Sequence, residues 1–129
     1  MNVPSKISIL VIDDNPDMLE WFKLLNKPNQ PIQFYTLQNE MNALQALQNI
    51  RPDLIFLDIS LNTLDGPLIA SILTGNNYDD ARIISMSAEA KFKKSINVDN
   101  FLLKPLTKEM VFEKIKQVLE ALNKDNFKV

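Results

Sequence analysis

The residues best suited to chemistry in this chain are Asp13, Asp14, Asp58, Ser87 and Lys104. Each ends or directly follows an apolar run: Asp13 and Asp14 follow "ISILVI", Asp58 closes "LIFL", Ser87 follows "IISM" and Lys104 follows "FLL". If the carboxylates converge, the arrangement is costly. Two of them ~4 Å apart repel by about 4 kcal/mol at an effective dielectric of 20, and such a cluster normally protonates one member. A divalent cation removes the problem, and a nearby ammonium helps. The chain has no Cys and no His, so a metal here must be held by oxygen, which favours a hard cation such as Mg²⁺. Acidic groups with one Lys and one hydroxyl suit phosphoryl chemistry. The metal neutralises phosphate charge, and Lys and Ser contact the remaining oxygens. A carboxylate can itself be the nucleophile, giving an aspartyl phosphate.

The elements that must position these groups are legible as alternating patterns. Apolar runs of strand length occupy residues 7–12, 54–57, 83–86 and 101–103, interrupted only by Ser8 and Ser85. Near-continuous runs suit parallel strands covered on both faces. Residues 32–36, "IQFYT", are mixed and alternate, as an edge strand does. Between the runs lie helical stripes: Met18, Phe22 and Leu25; Met41, Leu44 and Leu47; Leu68, Ile72 and Gly75; and finally Val111, Ile115, Val118 and Leu122. Asn15–Pro16 reads as an N-cap followed by a first-turn Pro, and Thr107 as the cap of the last helix. This β-α repetition predicts a three-layer α/β/α fold with right-handed crossovers. In such sheets ligands bind at the carboxyl ends of the strands, where strand order reverses. With order 2-1-3-4-5 the first and third strands are neighbours, and Asp13, Asp14 and Asp58 converge.

Composition narrows the function. A chain of 129 residues has the length of one domain. A net charge of −2 gives no reason to expect nucleic-acid or membrane-surface binding. The absence of His removes every His-based triad, and Gly66 and Gly75, the only glycines, are too few for a Rossmann fingerprint or a P-loop. The apolar start is shorter than a secretory or membrane-spanning segment, so the expected location is the cytoplasm.

Taken in order, "VIDDN", "LIFLDISLNTLDG", "IISMSAE" and "FLLKP" resemble the motifs of response-regulator receiver domains of two-component signalling, over nearly the whole chain. The resemblance implies a single receiver domain over residues 1–129, with its core at about 5–122, and a five-stranded parallel, flavodoxin-like sheet of order 2-1-3-4-5. It implies that Asp58 accepts a phosphoryl group from a sensor histidine kinase or a phosphotransfer protein, in a Mg²⁺-dependent reaction that switches a surface for a downstream protein target. Asp14 would bind the metal directly, Asp13 through water, and Ser60 through its backbone carbonyl. Ser87 and Lys104 would contact the phosphoryl group, and Phe101 stands at the family's aromatic switch position. Asp65–Gly66 matches the turn closing the loop after the phosphorylated strand. Such a domain is not an enzyme beyond self-catalysed phosphoryl transfer and dephosphorylation. It is expected to be a monomer or weak dimer, without direct contact to nucleic acid or membrane.

The chain departs from the family twice. Leu61–Asn62 replaces the frequent Met-Pro, which touches loop order rather than chemistry. Only "AEAKFKKSINVDN" separates Ser87 from the fifth strand. The fourth helix, striped by Ala88, Phe92 and Ile96, is therefore shortened to about two turns. Lys91, Lys93 and Lys94 make that region basic, which suits a solvated face better than a dedicated acidic-partner patch. Two other readings remain. An Asp-nucleophile phosphatase would need an acid two residues after Asp58, where Ser60 stands. A pseudo-receiver would keep the fold and bind partners without phosphorylation. Trp21 sits some way along the first helix, a remote reporter of events at Asp58.

Overall fold

The structure, a computed structural model, describes residues 6–38, 45, 49–58, 82–89 and 100–126. Ser60, the loop through Asp65 and Gly66, the stripes at Met41 to Leu47 and Leu68 to Gly75, and the shortened fourth helix with Phe92 and Ile96 lie outside these residues. Gln45, Asn49 and Ile50 are helical, consistent with a helix after the second strand.

The strands are β1 (Ile7–Ile12), β2 (Ile32–Leu37), β3 (Leu54–Asp58), β4 (Arg82–Ser87) and β5 (Asn100–Leu103). They form one parallel sheet of order β2-β1-β3-β4-β5, as the sequence predicts for a flavodoxin-like fold. The expected edge strand, β2, is at the edge.

Helix α1 (Pro16–Lys23) starts as its sequence dictates. The Asn15 side chain accepts from the Asp17 amide at 2.9 Å, and Pro16 occupies the first turn, where a missing N–H is harmless. The helix ends earlier than the stripe suggests: Leu25 lies in the following turn, yet is buried. Helix α2 (Lys108–Asn126) is capped by Thr107, whose hydroxyl accepts from the Met110 amide at 3.1 Å.

One face of the sheet packs Ile9, Val11, Phe56 and Ile84 against Leu19 and Phe22 of α1 and Val111, Ile115 and Val118 of α2. Phe22 is the hub, with ring centroids 5.7 Å from Phe34 and 5.5 Å from Phe56. On the opposite face Leu10, Ile12, Ile55 and Leu57 are buried too. The sheet is therefore covered on both sides, the environment that near-continuous apolar strands require.

Candidate functional site

The carboxyl edge of the sheet collects the polar residues. The β1–β3 register sets Ile12 opposite Leu57, so Asp13 and Asp58 each extend one residue beyond a paired position. Asp58 is itself the last residue of β3, opposite Met86 of β4, and Ser87 lies inside β4 opposite Leu103. Ser87 thus ends its strand, where the sequence reading set it just after. Lys104 follows β5 and is tied back by its amide, which donates to the Ser87 carbonyl at 2.8 Å. Its bond to Pro105 is cis.

The Lys104 ammonium donates to Oδ2 of Asp13 and to Oδ2 of Asp58, both at 2.9 Å. Asp13 is wholly buried and Asp58 nearly so. The second oxygen of Asp13 accepts from the Asn15 amide at 2.9 Å. One carboxylate oxygen from each of Asp13, Asp14 and Asp58 falls within a 4.8 Å cluster. Burial pushes the Asp13 carboxyl above its ordinary range. The Asn15 amide and the Lys104 ammonium pull it back without cancelling that effect, and the charge of Asp58 adds to the rise. Burial pulls the Lys104 ammonium down, but its hydrogen bonds to Asp13 and Asp58 outweigh burial and raise it. Lys104 bridges two of the three clustered carboxylates, Asp13 and Asp58. An all-oxygen set of this spacing fits a hard divalent cation such as Mg²⁺. The proposed contribution of the Ser60 carbonyl lies outside the described residues.

Ser87 is buried, and its hydroxyl accepts from the Glu89 amide at 2.9 Å. Phe101 lies on β5 opposite Ser85 and is half-buried, so it stands beside Ser85 on the strand that leads to Lys104. Asp13, Asp14, Asp58 and Lys104 are therefore brought together, with Ser87 on the adjacent strand end.

The sequence did not reveal a cleft of about 420 Å³ beside the cluster, lined by Asn15, Asp17, Met18, Trp21, Ala88, Lys104, Pro105 and Leu106. Trp21 lines this cleft together with Lys104. The only available signal was its spacing, a little over one helical turn after Asn15–Pro16.

Comparisons with known proteins agree with this fold. The family described as response regulator receiver domain matches residues 9–116. The sensory transduction protein LytT of Bacillus subtilis is 29% identical over 123 residues, covering 93% of this chain and 49% of LytT. The chain spans about half or less of the length of the curated relatives it matches. The response regulator protein TrrA of Thermotoga maritima, solved in complex with Mg²⁺-BeF, is 26% identical, with a TM-score of 0.74 over 86% of this chain and 97% of that one. A CheY-like receiver domain protein of Methanospirillum hungatei is 21% identical with a TM-score of 0.81, over 94% of this chain and 99% of its own, and shares the fold.

Proposed function

The chain belongs to the response regulator receiver domain family, and on that premise we propose that Asp58 accepts a phosphoryl group from a phosphohistidine on a sensor kinase or phosphotransfer protein. The observation that carries this reading is Lys104 bridging Asp13 and Asp58 beside Asp14 in one oxygen cluster. In the transfer an Asp58 oxygen forms the new O–P bond while the N–P bond of the donor imidazole breaks, and the electron pair of that bond returns to the imidazole nitrogen. Mg²⁺, when held by Asp13, Asp14, Asp58 and the Ser60 carbonyl, supplies neutralising charge to the phosphoryl oxygens. Lys104 holds Asp58 oriented for attack, and afterwards offers its ammonium to a phosphoryl oxygen. The Ser87 hydroxyl does the same from the neighbouring strand.

The modification adds about −1.5 to −2 charges at one edge of the sheet. Movement of Ser87 and repacking of Phe101 carry the change toward β5, with a coupling of about 1–3 kcal/mol to a partner surface. On this reading the chain is a binding module, not an enzyme acting on a separate substrate. Its domain core is residues of about 5–122, and it works in the cytoplasm on a downstream protein target. Among the described residues no helix is long and apolar enough to cross a membrane.

The test is to incubate the protein with Mg²⁺ and a small phosphodonor such as phosphoramidate, or with beryllofluoride, and follow mass and amide shifts. Wild type should take up one phosphoryl group or its mimic, and Asp58→Asn none. Equal behaviour of the two proteins sinks the proposal and leaves a phosphorylation-independent adaptor.

A further inference from the structure

β2 is an edge strand of the sheet, with no further strand beside it among the described residues. In a parallel ladder alternate residues turn both backbone groups toward the partner strand. The Ile7 amide donates to the Pro31 carbonyl, and the Asp13 amide to the Leu37 carbonyl. With Ile7 opposite Ile32, residues 31, 33, 35 and 37 are those that bond β1. Ile32, Phe34 and Thr36 therefore turn their N–H and C=O groups outward, as a template for another strand. The strand sequence IQFYTL has neither a charge nor a proline, the devices that commonly blunt such an edge.

At the middle of this edge stands the side chain of Asn26, from the segment between α1 and β2. The Phe34 amide donates to Asn26 Oδ1 at 2.7 Å, and Asn26 Nδ2 donates to the Phe34 carbonyl at 3.1 Å. A carboxamide carries one acceptor and one donor in the spacing of a peptide group, so Asn26 makes on Phe34 the two bonds that an incoming strand would make. Asp could not supply the donor, and Ala supplies neither. The same segment is fixed by Gln30, whose side-chain amide donates to the Leu25 carbonyl at 3.0 Å. Asn29 within it adopts a left-handed backbone, φ 69°, which Asn tolerates.

We propose that Asn26 is a latch that closes the β2 edge against strand addition by a second copy of this chain. The occupant excluded is β2 of a molecule related by a two-fold axis. An edge strand pairs antiparallel with itself about such an axis, and an uncharged strand sets no like charges against each other when it does so.

The test compares wild type, Asn26→Ala and the double variant Asn26→Ala with Thr36→Pro, by light scattering over a range of concentrations and by residue-resolved amide exchange. Thr36→Pro removes an outward N–H that β1 does not use, and so blocks strand addition without breaking the sheet. Wild type should show no self-association through β2. Asn26→Ala should form a concentration-dependent dimer in which the Ile32 and Thr36 amides gain protection, and the proline should return it to monomer. A monomeric Asn26→Ala, a dimer that the proline leaves intact, or a wild type that dimerises equally through β2 overturns the proposal. If a variant fails to fold, wild type decides the matter. Its Phe34 amide should exchange at least roughly tenfold more slowly than those of Ile32 and Thr36, the effect of one hydrogen bond of about 1.4 kcal/mol. Equal rates overturn it.

Discussion

Lys104 Nζ stands 2.9 Å from Oδ2 of Asp58, a contact that joins the ends of β5 and β3 across β4. The same nitrogen lies 2.9 Å from Asp13, directly after β1, so one ammonium serves two buried carboxylates. Loss of Lys104 removes that ammonium from both. Lys104→Met should therefore lower metal-free stability by about 3–5 kcal/mol, the cost of breaking a buried ion pair from one side. Urea unfolding in chelator measures this, and millimolar Mg²⁺ should restore part of the loss. A change within about 0.5 kcal/mol means that the pair contributes little.

Asp13 points the other way. Burial, helped by the charge of Asp58, raises its folded-state pKa above the ordinary 3.8. The folded protein therefore holds this proton more tightly than the unfolded chain does. Its stabilising effect is present below the unfolded value and is lost as pH rises through the folded value. Near neutral pH the buried carboxylate is a burden when no metal is bound. Asp13→Asn should raise the melting temperature at pH 7 in chelator by a few degrees, ~1 kcal/mol. The advantage should shrink toward pH 4, and Mg²⁺ should no longer stabilise the variant. Differential scanning calorimetry against pH reads both effects, and a variant less stable than wild type at pH 7 refutes them. Lys104 carries the opposite sign at the alkaline end. Its raised pKa gives stability that persists below 10.5 and is lost as pH rises through the folded value.

The sheet and the acidic cluster were legible because each follows from a strong local signal. Unbroken apolar runs specify buried parallel strands, and a carboxylate at the end of such a run can only project from the carboxyl edge. Strand ends were read short where a polar residue closes a strand. Asp58 and Ser87 remain in the ladder because backbone pairing is indifferent to side-chain polarity. The helical stripe through Met18, Phe22 and Leu25 overran α1, since Leu25 reaches the core from a turn. Asn26 had no sequence signature at all. A polar residue in a connecting segment looks the same whether it meets water or closes the edge of a sheet. The cleft that Trp21 shares with Lys104 was not legible in the sequence for a related reason: it depends on how α1 lies against the segment after β5, a tertiary fact that spacing along one helix does not contain.

Ser85 offers a test independent of the acidic cluster. It lies mid-strand in β4, fully buried, between Leu57 of β3 and Phe101 of β5. Among the described residues its hydroxyl has no hydrogen-bond partner. A buried polar group left unpaired costs about 1–3 kcal/mol. Ser85→Ala removes that group with little loss of volume, and should stabilise the protein by about 1 kcal/mol. A rise in the urea midpoint at unchanged slope is the expected result. A fall would mean that the hydroxyl is satisfied in solution, by water or by a neighbour.

The position of Trp21 makes the site optically accessible. It is the only tryptophan of the chain, it is half-buried, and it lines the cleft together with Lys104, Pro105 and Leu106. On the proposed function, Lys104 turning from Asp13 toward a phosphoryl group on Asp58 would change charge and packing in that cleft together. The indole emission should therefore respond to Mg²⁺ with beryllofluoride, saturating with the same dependence as amide shifts at Asp58. Asp58→Asn should abolish the beryllofluoride response while leaving the starting spectrum unchanged. Lys104→Met separates the two sources of signal. If the indole senses the ammonium, most of the change disappears even where the mimic still binds. If the full response persists without Lys104, Trp21 is reading the metal or the phosphoryl group through the backbone of α1, and the cleft is not the route.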